Sequence, residues 1–419
     1  MRFIHTADIH LDSPLAGLAA YRDAPVELLR TATREAFQAL ITEAIHERVD
    51  FMVIAGDLYD GSWRDFHTGI YFARQMGRLN AAGIPCFVLL GNHDAESEMT
   101  RQLELPPNVQ RFAADKAQTF ELPALRVALH GRSFRQAATT ENLAASYPPA
   151  RAGWLNIGVL HTALEGHASH QRYAPCTRGE LAARGYQYWA LGHVHEHSVE
   201  QVGGTTIAFP GNLQGRHIRE PGPRGALLVE ADGPDIQRVS RLHTDVLRWH
   251  ELAVDVSGAR SMADAVRLCG QQLQALPDQL GWSCPVALRV MLLGRSEAHG
   301  ELFAAGDHLR AELMAQAAAV GGDGLWLEKV KLRTEPAVSA ETLAARGDAV
   351  ADLQQVLATA ADDAALLKEI DDELQLLVAK LERPVCDAVA DIALLRAGRV
   401  AEIVERVRPA LLAQISEQG

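Results

Sequence analysis

Short runs of Val, Ile, Leu and Phe alternate along the chain with longer segments whose apolar residues recur every three to four positions. The runs predict strands over residues 2–7, 50–55, 85–90, 125–130, 155–160, 187–191, 205–209 and 226–231. The helical period predicts one amphipathic helix over 24–48 and another over 66–82. Proline and glycine make a loop at Leu105-Pro106-Pro107-Asn108 and a turn at Pro221-Gly222-Pro223-Arg224-Gly225. Strands bounded by helices imply a layered α/β domain over 1–243. Past a boundary near 243–250 the pattern changes. It predicts strand 249–256, helix 260–276, strand 285–292, helix 301–318 and strand 324–333, a small α+β domain over 244–335. Gly321-Gly322-Asp323-Gly324 supplies its last sharp turn. After Pro336 the period is helical over 338–357, 361–380, 384–393 and 397–415, which makes 336–419 a helical C-terminal region.

Composition narrows this. The 419 residues suit two or three domains, since single cores rarely grow past about 250–300 residues. A hydrophobic share of 48% is ample for a core. The opening MRFIHTADIH reads as a strand entering a polar segment rather than as a secretory leader, and no run of about 18 apolar residues predicts a membrane span. Cys86, Cys176, Cys269, Cys284 and Cys386 are scattered, without CxxC spacing, which fits a reducing cytoplasm. A formal net charge of -13 argues against a chain that coats itself with nucleic acid unaided, and leaves room for a local basic groove.

The candidate chemistry sits where predicted strands end. Five polar clusters follow them: Asp8-Ile9-His10, Gly56-Asp57, Gly91-Asn92-His93-Asp94, His161, and Gly192-His193-Val194-His195. Asp8 and His10 are two apart on extended chain, so a carboxylate and an imidazole can meet one ion. His193 and His195 repeat that spacing. Gly56 lets the backbone turn so that Asp57 projects from the strand end, placed to bridge two cations with one oxygen to each. Asn92 offers a neutral oxygen ligand. His93, pointing the other way, is suited to face a substrate, and Asp94 to orient a histidine. Asp60 reads as an ordinary turn residue. His46, His67, His130, His167, His170 and His197 read as surface or hydrogen-bonded histidines. Together the clusters supply ligands for two divalent metals, and mixed carboxylate, amide and imidazole donors suit manganese, iron or zinc better than magnesium.

These motifs, in this order, resemble those of the calcineurin-like metallophosphoesterases. The opening Phe3 to Asp12 and Gly56-Asp57-Leu58-Tyr59-Asp60 look like the DNA repair exonuclease branch, which includes SbcD. Leu160-His161-Thr162 through His167, and Phe209 through His217, look closest to YhaO-like proteins. The resemblance implies a four-layer α-β-β-α sandwich, followed by a small capping domain and a helical segment. It implies one metal held by Asp8, His10, Asp57 and His195, and another by Asp57, Asn92, His161 and His193. His93 would contact the scissile phosphate and assist the leaving oxygen. Asp60 stands where some relatives carry a second catalytic histidine. The implied partners are DNA and a coiled-coil ABC-type ATPase that receives the C-terminal helices, with a homodimer left open and no membrane.

The expected activity is therefore metal-dependent phosphodiester hydrolysis of DNA, by a repair exonuclease subunit with two ions, manganese first. Arg64, Arg132, Arg135, Arg172, Arg216, Arg219 and Arg224 lie in loops on the site side and are candidates for phosphate contact. Two rivals stay open. One is a phosphodiesterase or phosphatase for small molecules. The other is a catalytically silent assembly subunit, for which Leu366, Leu367, Ile370, Leu374, Leu377 and Val378 supply an apolar helix face. That face serves equally well to pack on the chain's own core.

Overall fold

Alternation along the strands sorts their side chains between two faces, and both faces are apolar. In β1 (Arg2–Thr6) Phe3 and Ile4 are buried in different clusters; in β2 (Phe51–Ala55) Phe51 and Val53 divide from Met52 and Ile54 in the same way. A strand buried on both sides needs cover on both sides. The computed structural model describes residues 1–13, 26–60, 66–96, 104–165, 173–281, 283–337, 349–379 and 390–416, and there the cover is plain. Helices α1 (Val26–His46) and α2 (Phe66–Ala81) pack Phe37, Leu40, Phe72 and Met76 on Ile4, Met52 and Ile54. The opposite face packs on a second sheet.

The first sheet also contains β3 (Cys86–Leu89), β4 (Val109–Arg111), β11 (Gly225–Asp232) and β12 (Asp235–His243), in the order β12-β11-β1-β2-β3-β4, and a short helix α3 (Asn92–Glu96) follows β3. The second contains β5 (Gln118–Leu122), β6 (Val127–Gly131), β7 (Leu155–His161), β8 (Tyr188–Gly192), β9 (Ser198–Val202) and β10 (Thr205–Phe209), in the order β5-β6-β7-β8-β10-β9. Phe3, Phe51, Phe87, Leu129, Ile157 and Tyr188 interdigitate between them. The outer face of the second sheet is covered more thinly, by a 3-10 turn at Leu143–Ser146 and a six-residue helix α4 (Arg178–Ala183), closed by a Thr177–Glu180 capping box. This is the layered sandwich expected, with a slight fourth layer.

β1, β2 and β3 run parallel, and so do β7 and β8. The loops after these strands carry the polar clusters. The loop after β1 is tied to both covering helices, because Asp12 accepts a two-pronged bond from Arg34 (2.6 and 2.5 Å) and another from Thr68.

A second compact unit begins at His250, just past the start of β13 (Arg248–Asp255). It continues through α5 (Met262–Leu280), β14 (Val286–Ser296), α6 (His299–Ala304), α7 (Gly306–Gly321) and β15 (Leu325–Pro336), with the sheet order β13-β14-β15. The single helix expected over 301–318 is divided at Ala305, whose ψ of 36° leaves the helical region. The C-terminal helices are α8 (Ala349–Thr359), α9 (Ala364–Val378), α10 (Ala390–Arg396) and α11 (Val400–Ser416). Leu367, Ile370, Leu374 and Val378 of α9 pack against Leu395 and Val400, so that part of the apolar face meets the chain's own helices. Of the expected helices, residues 338–348, 380 and 384–389 lie outside the described residues. Among the described residues no helix is long and apolar enough to cross a membrane.

Candidate metal centre

Three of the five clusters reach the site on unusual backbone. Asp8 (φ 50°), His10 (φ 45°), Asp57 (φ 52°) and His193 (φ 95°) all have left-handed φ, a conformation that costs a residue with a Cβ about 1–2 kcal/mol. Hydrogen bonds hold them there. The Asp8 N–H donates to Gly56 O (3.0 Å), the His10 N–H to Asp57 O (3.1 Å), and the His193 N–H to both Asp8 oxygens (3.1 and 3.0 Å). Gly56 (φ 101°) and Gly192 allow the crowding. A Cβ on Gly56 would lie 2.3 Å from His161 Nδ1, and one on Gly192 only 2.0 Å from Ala55 O.

Two groups result. In one, ligand atoms of Asp8, His10 and His195 lie within 4.8 Å of one another; in the other, those of Asp57, His161 and His193 do. The Asp57 carboxylate stands between them. Its Oδ2 is 3.4 Å from His161 Nε2 and 4.0 Å from His10 Nε2, while Oδ1 accepts the His93 N–H at 3.0 Å. Sequence reasoning assigns one Asp57 oxygen to each ion; here a single oxygen faces both histidine groups, because the backbone occupies the other. Asn92 Oδ1 is 2.9 Å from His161 Nε2. His10 Nε2 and His195 Nε2 face each other at 3.3 Å. Buried imidazole nitrogens converging on one another and on carboxylates are a donor set that a pair of borderline divalent ions fits.

The electrostatics show the same crowding. Burial raises Asp8 to about 6. Burial, with the Arg216 charge, lowers His10 to about 4. Burial would also depress His161, but the adjacent Asp57 carboxylate outweighs it and raises His161 to about 9. Asp57 is the counterpart: burial pushes it up, and His161 above all holds it well below the usual carboxylate range.

Residues 1–197 match the calcineurin-like phosphoesterase family. The uncharacterized metallophosphoesterase YhaO of Bacillus subtilis (strain 168) is 34% identical over 297 residues, covering 70% of this chain and 72% of that protein. The chain belongs to the calcineurin-like metallophosphoesterases. Residues 249–335 of this metallophosphoesterase match the middle domain of metallophosphoesterase YhaO. It is also related to the DNA double-strand break repair proteins Mre11. That of Methanopyrus kandleri is 28% identical over 297 residues, 62% of this chain and 60% of that protein. That of Sulfurisphaera tokodaii is 24% identical over 271 residues, 62% of this chain and 67% of that protein.

Within the metallophosphoesterase site, Asp8, His10, Asp57, Asn92, His161, His193 and His195 are brought together, and His93 stands at the rim, its side chain 39% exposed. Two carboxylates escape sequence reasoning. Asp60 is no mere turn residue: it lies 3.5 Å from His10 Nδ1 and 3.3 Å from His93 Nδ1, and accepts the Ser13 hydroxyl at 2.7 Å. Glu220 meets His195 Nδ1 at 2.8 Å from a loop with no periodic signal. Asp94 fastens the site loop, accepting the N–H groups of Leu58 (3.2 Å), Tyr59 (2.9 Å) and Gly91 (2.9 Å). Among the candidate arginines, Arg224 is buried and bonds His195 O, Asn212 Oδ1 and Pro221 O, a structural role that phosphate contact does not allow for. Arg132 pairs with Glu141 at 3.0 Å. Arg216 stays close to the centre, with Nη1 3.3 Å from Ser13 Oγ. Arg64, Arg172, His167 and His170 lie outside the described residues. His130 is held by Thr119 (2.8 Å) and Asn156 (3.2 Å), a structural bond network.

Proposed function

We propose that this chain is a metal-dependent phosphodiesterase that hydrolyses DNA, as the nuclease subunit of a repair complex. One observation carries the reading: the buried Asp57 Oδ2 faces His10 on one side and His161 on the other, where one carboxylate would serve both ions. When bound, a pair of divalent ions activates water and neutralises charge on the phosphoryl oxygens. Manganese is the ion this donor set favours, with iron and zinc next. Asp8, His10, Asp57 and His195 form one ligand group; Asp57, Asn92, His161 and His193 form the other. His93 is the catalytic side chain. Its Nδ1 faces the Asp60 carboxylate at 3.3 Å, which favours the cationic ring; as a cation His93 gives its Nε2 proton to the departing oxygen.

The similarity to Mre11 repair proteins supports DNA as substrate. In this reading residues 1–243 are the catalytic domain, 244–335 cap the substrate, and 336–419 dock on a coiled-coil ATPase in the cytoplasm. The net charge of -13 makes that partner part of the grip on DNA. The test uses end-labelled single- and double-stranded DNA with manganese and a chelator control. The native chain should release nucleotides, and Asp57→Asn should lose on the order of 10²–10³ in rate. Hydrolysis of a nucleotide ester but of no DNA, with the ATPase present, would reassign the enzyme to small molecules.

A further inference from the structure

Glu220 stands beyond the candidate ligands, and we propose that it is a positioning residue that makes the Asp8–His10–His195 group the tighter of the two metal sites. The inference rests on the two-ion reading above and adds an order of affinity to it.

The geometry is specific. Glu220 is 5% exposed. Its Oε1 lies 2.8 Å from His195 Nδ1, and its Oε2 accepts Asn212 Nδ2 at 2.9 Å and the Arg216 N–H at 2.7 Å. An ionised carboxylate only accepts hydrogen bonds, so Nδ1 carries the imidazole proton. That fixes the tautomer with Nε2 as the lone-pair nitrogen, and Nε2 is the atom 3.9 Å from Asp8 Oδ1 and 3.3 Å from His10 Nε2. The loop carrying Glu220 is itself rigidly held: Gln214 Nε2 donates to Leu247 O at 2.6 Å, and Trp249 Nε1 donates to Gly215 O at 2.9 Å.

The imidazoles of His195 and His10 differ from that of His161 in what stands behind them. His195 is backed by Glu220, and His10 has Asp60 at 3.5 Å from its Nδ1. His161 in the other group is backed by a neutral backbone carbonyl, Ala55 O at 3.0 Å. Carboxylates behind histidines raise ligand basicity and add negative charge near the cation, and removing such a partner typically costs about 10–100-fold in metal affinity.

The decisive variant is Glu220→Gln. Its amide oxygen can still accept from Asn212 and Arg216, which preserves the loop. Its NH2 then meets His195 Nδ1 and forces the ring proton onto Nε2, the nitrogen that faces the ion. Manganese binding to the full chain is followed by calorimetry, with stoichiometry checked by elemental analysis and folding by circular dichroism in chelator. The native chain should bind two ions in unequal steps. Glu220→Gln should weaken the tighter step by about 10–100-fold and leave the looser one near its native value. His161→Gln, as the contrasting variant, should remove the looser step and keep the tighter one. Two native steps left unchanged by Glu220→Gln would overturn the assignment while leaving the two-ion reading intact; no binding to the native chain would overturn both. Should Glu220→Gln fail to fold, loss of the tighter step in His161→Gln would overturn the ordering.

Discussion

His161 and Asp57 decide how the centre responds to acidity. In the metal-free chain His161 is raised to about 9, against an ordinary 6.5, once the Asp57 charge has outweighed burial. A raised imidazole binds its proton more tightly folded than unfolded. It therefore stabilises the metal-free fold fully below pH 6.5, and that contribution is lost as pH rises through about 9. A metal ion needs the neutral ring, so it must expel that proton. Manganese affinity should climb with pH up to about 9 and then level off. Calorimetry in two buffers of different ionisation enthalpy should show about one proton released per His161 site filled; pH-independent affinity between 6.5 and 9 would contradict the pairing. At this scale the sequence was informative wherever a ligand followed a buried apolar run, as with Asp8, Asp57 and His193. It was silent for Glu220, which reaches His195 from a loop without periodicity, and misleading for Asp60, whose place near Gly56 resembles an ordinary turn. Partners of ligands are set by tertiary approach, and neighbours in sequence do not reveal them.

Within the second unit, the neighbouring parallel strands β14 and β15 are pinned by a charged pair. Arg289 donates to both Glu328 oxygens at 2.7 Å, with side chains only 13% and 8% exposed. Removing one member leaves a buried charge without its partner, so Arg289→Met should cost about 3–5 kcal/mol of unfolding free energy. Joint replacement with Glu328→Leu should recover most of it, as urea titration of both variants would show. Elements as a class were legible in proportion to burial. In the two large sheets the strands that hydrophobic runs predict are the inner ones. Those they miss, β4, β5, β9 and β12, are the edges of the two large sheets. Gln118–Leu122, for example, is largely half-buried and Asp235–His243 has no buried residue, so neither writes a continuous apolar run. The division of the helix at Ala305 was likewise invisible, because Ala is a strong helix former and the break lies in the backbone angles.

The molecule as a whole consists of two compact units, and the metal groups lie in the first. Ions that bind only the folded state stabilise it by mass action, by about 2.7 kcal/mol for one site at 100 times its dissociation constant. Scanning calorimetry with manganese and with chelator should therefore shift the melting of the first unit and leave that of the second in place. No shift on adding manganese would count against ions held by the first unit. The backbone beneath the ligands has a consequence of its own. Asp8, His10, Asp57 and His193 occupy conformations that glycine would adopt with less strain. Asp8 and Asp57 also accept backbone N–H groups of the site, but a copy relieved of its chemistry would be free to drift to glycine at His10 and His193. Histidine stands at both places instead, against the preference of the main chain, so what keeps it there is a demand other than folding.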